Sequence, residues 1–247
     1  MYKKKPHEKR VVRNIIIKFK IQNSLEFLFI SAIAVRSARG KSIFAHKIRC
    51  AARLTHCVVK PTQGGRKIVQ PGIYLWQGDI TALKCDSVVN AANSALLGCF
   101  YPNHECIDNA VHTFAGVELR LACSEIMRKK GHAEKPGCAE ITPAFNLPCR
   151  YVIHTVGPVV SGEPTERDFE LLRSCYLSCL KKADEYRLNS IAFCCISTGE
   201  FHFPNGKAAE TAIEAVKSYK AETQSKIKVI FNVFKDKDLE IYRRLLG

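Results

Sequence analysis

An α/β domain built on a largely parallel sheet is the fold class this sequence predicts, and three observations predict it. From residue 73 onward, short β-branched runs alternate with amphipathic stretches, the pattern of strands joined by crossover helices. In one such stretch Phe169, Leu172, Cys175, Tyr176, Cys179, Leu180 and Ala183 recur at spacings of three and four, which puts them on one helical face. The chain has 247 residues, 47% of them hydrophobic, enough for one sizeable core and short for two full domains.

In chain order, strands are expected at 73–77, 87–90, 139–143, 150–155, 190–196 and 226–234. Helices are expected at 107–130, around the stripe just named, at 206–221 and at 237–246. A parallel sheet covered by helices binds its ligands in the loops beyond the C-terminal ends of the strands. Chemistry is therefore expected in those loops.

Residues 1–70 read as a basic extension and residues 71–247 as the domain. The extension holds 17 of the 38 lysines and arginines but only 2 of the 23 acidic residues, which leaves 21 of each in the domain. A formal charge of +15 would suggest a polyanionic partner. Because the excess sits in the extension, the domain itself is near neutral and is not expected to bind nucleic acid specifically. The extension is open to three readings: a poorly ordered basic tail, an Arg-rich organelle transit segment, or a signal segment with the run 25–35 as its core. That run is too short for a bilayer, which takes roughly 20 apolar residues, so no transmembrane segment is expected. Gly64-Gly65 is the expected linker.

A chain able to build a core does not need a disulfide framework, so its 12 cysteines point to a reducing compartment. The cytoplasm is expected, or the mitochondrion if the extension is a transit segment. Cys123, Cys175, Cys179, Cys194 and Cys195 lie in apolar segments and are expected to pack as small hydrophobes.

Four segments stand out in the loops: Gly78-Asp79-Ile80-Thr81, Asn90-Ala91-Ala92-Asn93, the stretch from Gly98 to Asp108, and Ile196-Ser197-Thr198-Gly199-Glu200-Phe201. Each follows an expected strand, and together with Val156-Gly157-Pro158 they resemble the macrodomain family over residues 72–246. The resemblance implies a three-layer α/β/α fold with a mixed, largely parallel sheet. It also implies an ADP-ribose site formed by Asp79, Ile80, Asn93, Ser197, Thr198, Gly199, Glu200 and Phe201, in which Asp79 holds the adenine.

These residue types suit those roles on physical grounds. A loop with unpaired backbone N–H groups can cradle a diphosphate, helped by the dipole of a following helix, and Gly199 permits close approach. The amide of Asn93 matches a ribose hydroxyl better than a charge would. Asp79 fits an N-cap or turn as well as it fits an exocyclic amine. Phe231, Asn232 and Phe234 are candidates to flank the base, although aromatic residues there also suit the core.

Most macrodomains carry glycines where this chain reads Gly98-Cys99-Phe100-Tyr101-Pro102-Asn103-His104-Glu105-Cys106-Ile107-Asp108. The departure resembles the zinc-dependent microbial subclass. Cys99, His104 and Cys106 offer two thiolates and one imidazole, a set that zinc accepts, and three ligands leave a fourth position open as in catalytic sites. His112 and Cys123 are poor candidates for a fourth ligand. The stretch from Ile107 to His112 resembles the Val-Asp-x-Ala-Ile-His segment of hydrolytic macrodomains, so Asp108 matches the acid implicated there, with Asn93 as its catalytic companion. Asp108 also suits a helix N-terminus. His112, one turn further on, is within geometric reach of it and is expected to be structural.

The resemblance thus implies a zinc-dependent hydrolase that removes mono-ADP-ribose from modified proteins, most plausibly from aspartate or glutamate. Zinc would hold the distal ribose or acidify a water, with Phe100 and Phe201 walling the pocket. A monomer acting on an ADP-ribosylated protein, a carrier of lipoyl metabolism among the candidates, is the expected arrangement. Two other classes remain: a reader module that binds ADP-ribose without turnover, and a nucleic-acid or membrane adaptor driven by the basic extension.

Overall fold

The computed structural model describes residues 13–18, 29–36, 42–45, 71–101 and 104–247. Two compact units divide the chain, Met1–Cys57 and Val58–Gly247. In the first, β1 (Arg13–Lys18), β2 (Phe29–Arg36) and β3 (Ser42–Ala45) form an antiparallel sheet in the order β1-β2-β3. Part of the apolar run 25–35 is therefore strand β2. The expected Gly64-Gly65 linker lies outside the described residues. Among the described residues, no helix is long and apolar enough to cross a membrane.

The second unit is a six-stranded sheet with five helices. Its strands are β4 (Ile73–Gln77), β5 (Ser87–Ala91), β6 (Ala139–Pro143), β7 (Tyr151–Thr155), β8 (Ser190–Phe193) and β9 (Lys228–Val233). They pair in the order β4-β9-β8-β5-β7-β6, with β6 alone antiparallel to its neighbour. The helices are α1 (Ile107–Ala115), α2 (Val117–Lys130), α3 (Glu166–Glu185), α4 (Asn205–Thr223) and α5 (Asp236–Leu246). α1 packs with α2, while α3, α4 and α5 form a second contiguous group. Successive residues of the central strands are all buried, as in Val88-Val89-Asn90 and Val152-Ile153-His154, so both faces of the sheet are covered. This is the expected three-layer α/β/α arrangement.

The departures from the expected elements have local causes. The expected helix 107–130 breaks at Gly116, whose φ of +93° leaves the helical region and whose added Cβ would lie 2.6 Å from Asn146 Nδ2. Helix α2 ends in a left-handed cap at Gly131, which returns its N–H to Met127 O. α3 opens with a capping box between Thr165 and Asp168, two bonds that satisfy otherwise unpaired donors of its first turn. Strand β8 stops at Phe193 rather than 196, because the chain then leaves the ladder and turns through Ser197 at φ +64°. Chain order reverses direction across the sheet between β5 and β8. That is the switch point where α/β sheets open a crevice at their strand C-terminal ends.

Candidate active site

The loops after β5 and β8 meet at this switch point, since the two strands are hydrogen-bonded neighbours. Asp108, in the first turn of α1, is 5% exposed. Asn90 donates Nδ2 to its Oδ1 at 2.8 Å and Asn93 donates Nδ2 to its Oδ2 at 3.1 Å. Burial raises the Asp108 pKa, while these amides and the nearby Arg120 charge oppose the rise. A carboxylate held at both oxygens cannot swing, and its raised pKa makes it a stronger base than a surface aspartate.

Asn93 is already engaged. Its second amide hydrogen goes to Gly98 O at 3.1 Å and its Oδ1 accepts from Ala95 N at 3.0 Å. What remains for a ribose hydroxyl is acceptor capacity on Oδ1. Asn90 is a residue the sequence reading passed over. Its Nδ2 also faces His154 Nδ1 at 3.3 Å, and His154 Nε2 lies 3.0 Å from Thr142 Oγ1. With Asn90 as donor, His154 keeps its hydrogen on Nε2, a tautomer assigned from this network. Burial drives the His154 pKa down to about 3, so the ring is neutral.

The ligand atoms of Cys99, His104 and Cys106 all lie within 4.8 Å of one another. Cys99 Sγ is 3.3 Å from His104 Nδ1, and Cys106 caps α1 by accepting from Asn109 N at 3.4 Å. Burial raises the Cys106 thiol pKa. Two thiols and an imidazole converging at this spacing fit zinc. His112 and Cys123, weak candidates for a fourth ligand, group instead with His154 in a separate buried cluster. Among the described residues no further His, Cys or carboxylate joins this trio. His112 Nε2 stands 3.6 Å from Asp108 Oδ1, beyond a hydrogen bond. Its ring packs under Gly98, where an added Cβ would sit 2.8 Å from His112 Cγ. Both of its ring nitrogens are buried without a hydrogen-bond partner.

The loop after β8 behaves partly as expected. Among the described residues, no hydrogen bond within the protein occupies the N–H groups of Gly199, Glu200 or Phe201. Thr198 Oγ1 is turned inward to Cys195 O at 3.0 Å, and Ser197 Oγ is buried without a partner. A Cβ on Gly157 would come within 2.0 Å of that Oγ, so the 156–158 segment packs directly beneath the loop. A Cβ on Gly199 would meet nothing within 4 Å, which leaves close approach there as a matter for a ligand. α4 starts at Asn205, one residue before its expected start, so its dipole stands several residues from Ser197.

A cleft of about 450 Å³ runs beside Asn93, the segment from Val156 to Val159, and Phe201. Phe201 walls it as expected. Phe100 does not: its ring is 67% exposed, with the Arg120 guanidinium 4.5 Å above it. Asp79, which is not among the residues lining this cleft, caps the short helical turn Ile80–Ala82 by accepting from Thr81 N and Thr81 Oγ1 at 2.9 and 2.7 Å. Ile80 is buried in the core. Phe231 is core, Asn232 donates to Gly78 O at 2.8 Å, and Phe234 is exposed where β9 ends beside the Asp79 loop. Cys123, Cys175, Cys179 and Cys194 are buried as expected, and Cys195 is partly so.

A mixed six-stranded sheet in this order between two layers of helices, with its loops gathered over a crevice at the switch point, defines a ligand-binding class of three-layer α/β/α domain. The chain belongs to the Macro domain family, whose model matches residues 89–212. It is 57% identical over 174 residues to a protein-ADP-ribose hydrolase of Treponema medium, covering 70% of this chain and 67% of the relative. A Staphylococcus aureus (strain Mu50 / ATCC 700699) protein of the same name is 53% identical over 195 residues, 78% of this chain and 73% of that one. Among solved structures, the Oceanobacillus iheyensis macrodomain with ADP matches at TM-score 0.65 and 34% identity, covering 72% of this chain and 92% of that one. The Trypanosoma brucei macrodomain in complex with ADP-ribose matches at TM-score 0.63 and 32% identity, covering 73% and 72%.

Proposed function

We propose that this protein is a zinc-dependent protein-ADP-ribose hydrolase that removes mono-ADP-ribose from aspartate or glutamate side chains. The observation that carries the reading is buried, doubly anchored Asp108, which follows Cys106 by two residues while Cys106 converges with Cys99 and His104. The hydrolase names of relatives 53–57% identical support it. So does ADP-ribose in a related fold.

The loop after β8 would receive the diphosphate on the N–H groups of Gly199, Glu200 and Phe201, with Ser197 Oγ as a further donor. Asp79 would accept from the adenine amine with the lone pairs that Thr81 leaves free. Asn93 would accept from a distal ribose hydroxyl. Asp108 would orient a water toward the anomeric carbon of that ribose and take its proton as the bond to the acceptor carboxylate breaks. Zinc, when held by Cys99, His104 and Cys106, supplies a Lewis-acid centre at the sugar end, either for the ribose hydroxyls or for a water. The substrate is an ADP-ribosylated protein acted on by a monomer, and a carrier of lipoyl metabolism is the proposed acceptor.

Incubation of the full chain with a protein modified on aspartate or glutamate should release free ADP-ribose. Binding of ADP-ribose with no release from any modified protein would leave a reader module in its place.

A further inference from the structure

We propose that Glu200 is a positioning residue for the metal centre: its carboxylate takes the Nε2–H of His104 and so presents Nδ1 to the metal. The inference rests on the zinc reading above.

His104 offers two ring nitrogens, and a neutral imidazole can give only one to a metal while the other keeps its hydrogen. The structure separates them. Nδ1 is the nitrogen 3.3 Å from Cys99 Sγ, on the side where the ligand atoms gather. Nε2, on the other side of the ring, is 3.5 Å from Glu200 Oε1, longer than a hydrogen bond, which a small rotation of the exposed carboxylate would close. Glu200 therefore stands behind the imidazole and not among the ligands. Metal-bound histidines usually donate their second N–H to a carboxylate, carbonyl or water, which fixes the tautomer and makes the bound nitrogen more basic. A carboxylate is the strongest of these acceptors.

The contact also joins two loops that are far apart in the chain. His104 lies in the segment between β5 and α1, and Glu200 lies in the turn after β8. Parallel pairing of β5 with β8 brings both segments to the same end of the sheet, beyond the strand C-termini. Glu200 is thus assigned to hold the metal ligand through its side chain while its backbone N–H stays available for the phosphate. The Glu200 side chain is 67% exposed, so without a metal the contact contributes little to stability. Its role would appear in metal affinity and not in folding.

The test is zinc affinity of the full chain, measured by competition with a chromophoric chelator, together with a thermal melt of each metal-free protein. Glu200→Ala should weaken zinc binding by about 10- to 100-fold, the usual effect of losing such a partner. Glu200→Gln keeps an oxygen that accepts the same hydrogen, and it should restore part of that loss. Glu210→Ala, which removes an exposed carboxylate on α4, should bind zinc as the wild type does, and all metal-free proteins should melt together. Wild-type zinc affinity in Glu200→Ala would overturn the inference and leave the zinc reading standing. Absence of stoichiometric zinc from the wild type would overturn both. Equal weakening in the alanine and glutamine variants would also count against it, because the acceptor oxygen would then not be what matters.

Discussion

Asn93 and Asp108 are joined by a hydrogen bond of 3.1 Å from Nδ2 to Oδ2, which ties the loop after β5 to the first turn of α1. The bond sets the aim of the carboxylate. A second amide, Asn90, holds the other oxygen from the strand itself, so Asp108 is braced by one residue on a rigid element and one on a loop. Substrate that engages Asn93 would therefore bear directly on the base.

Replacement of Asp108 by asparagine keeps the shape but puts an amide donor against the donors of Asn90 and Asn93. Asp108→Asn should lower ADP-ribose release by about 10²- to 10⁴-fold, the range for losing a positioned acid or base. Affinity for ADP-ribose should change far less. Single-turnover release and calorimetric titration separate the two, and retained turnover would remove Asp108 from the chemistry.

Loss of one thiolate should empty the metal site without closing the ligand cleft, because Cys99 is not among the cleft's lining residues. Cys99→Ala is expected to purify with little zinc by mass spectrometry, to lose turnover and to bind ADP-ribose still. Chelator treatment of the wild type should reproduce that pattern, with zinc restoring activity.

Gly157→Ala should damage the phosphate loop from below. The new methyl would lie 2.0 Å from Ser197 Oγ and 2.9 Å from Ile196 Cγ2, so the loop must move. Overpacking of this kind costs about 1–3 kcal/mol of stability. ADP-ribose affinity should fall about tenfold, equivalent to about 1.4 kcal/mol. An unchanged titration would mean that this loop does not carry the diphosphate.

Acid should destabilise the domain through its two buried histidines. Burial and the neighbouring His112 depress His154 to about 3, and burial with Arg120 depresses His112 to about 4, against an ordinary 6.5. Between the ordinary and depressed values the unfolded chain binds protons that the folded chain does not. Stability contributed by these rings is thus full above about pH 6.5 and falls as pH drops toward 4 and then 3. Each pH unit removes about 1.4 kcal/mol per ring. Asp108, with its raised pKa, works in the opposite sense and offsets part of the loss. Urea melts from pH 7 to 5 should show the decline, with a shallower slope in His154→Gln. An equal slope in that variant would exclude His154 as a source.

Much of the fold was legible because its signals are local. The stripe from Phe169 to Ala183 marked α3, and the β-branched runs marked the strands to within a few residues, since periodicity depends only on neighbours along the chain. The break at Gly116 was not legible, because what forbids a side chain there is Asn146, brought in by the turn before β7. The placement of Phe100 was not legible for a similar reason. Its ring goes to Arg120 on α2, a contact that no spacing announces. Asn90 could have been read from the first position of Asn-Ala-Ala-Asn, since an amide in an otherwise apolar buried strand needs a partner.

Composition, periodicity and short motifs carried the order of elements, the family likeness, the excess of basic residues in the first 70 positions and the residue types available for chemistry. That Cys99, His104 and Cys106 converge, that Asn93 reaches Asp108 and that Glu200 stands behind His104 came from the fold. The reason is that such contacts depend on β5 lying beside β8, a pairing between strands about a hundred residues apart that is set by how the whole sheet buries its two faces.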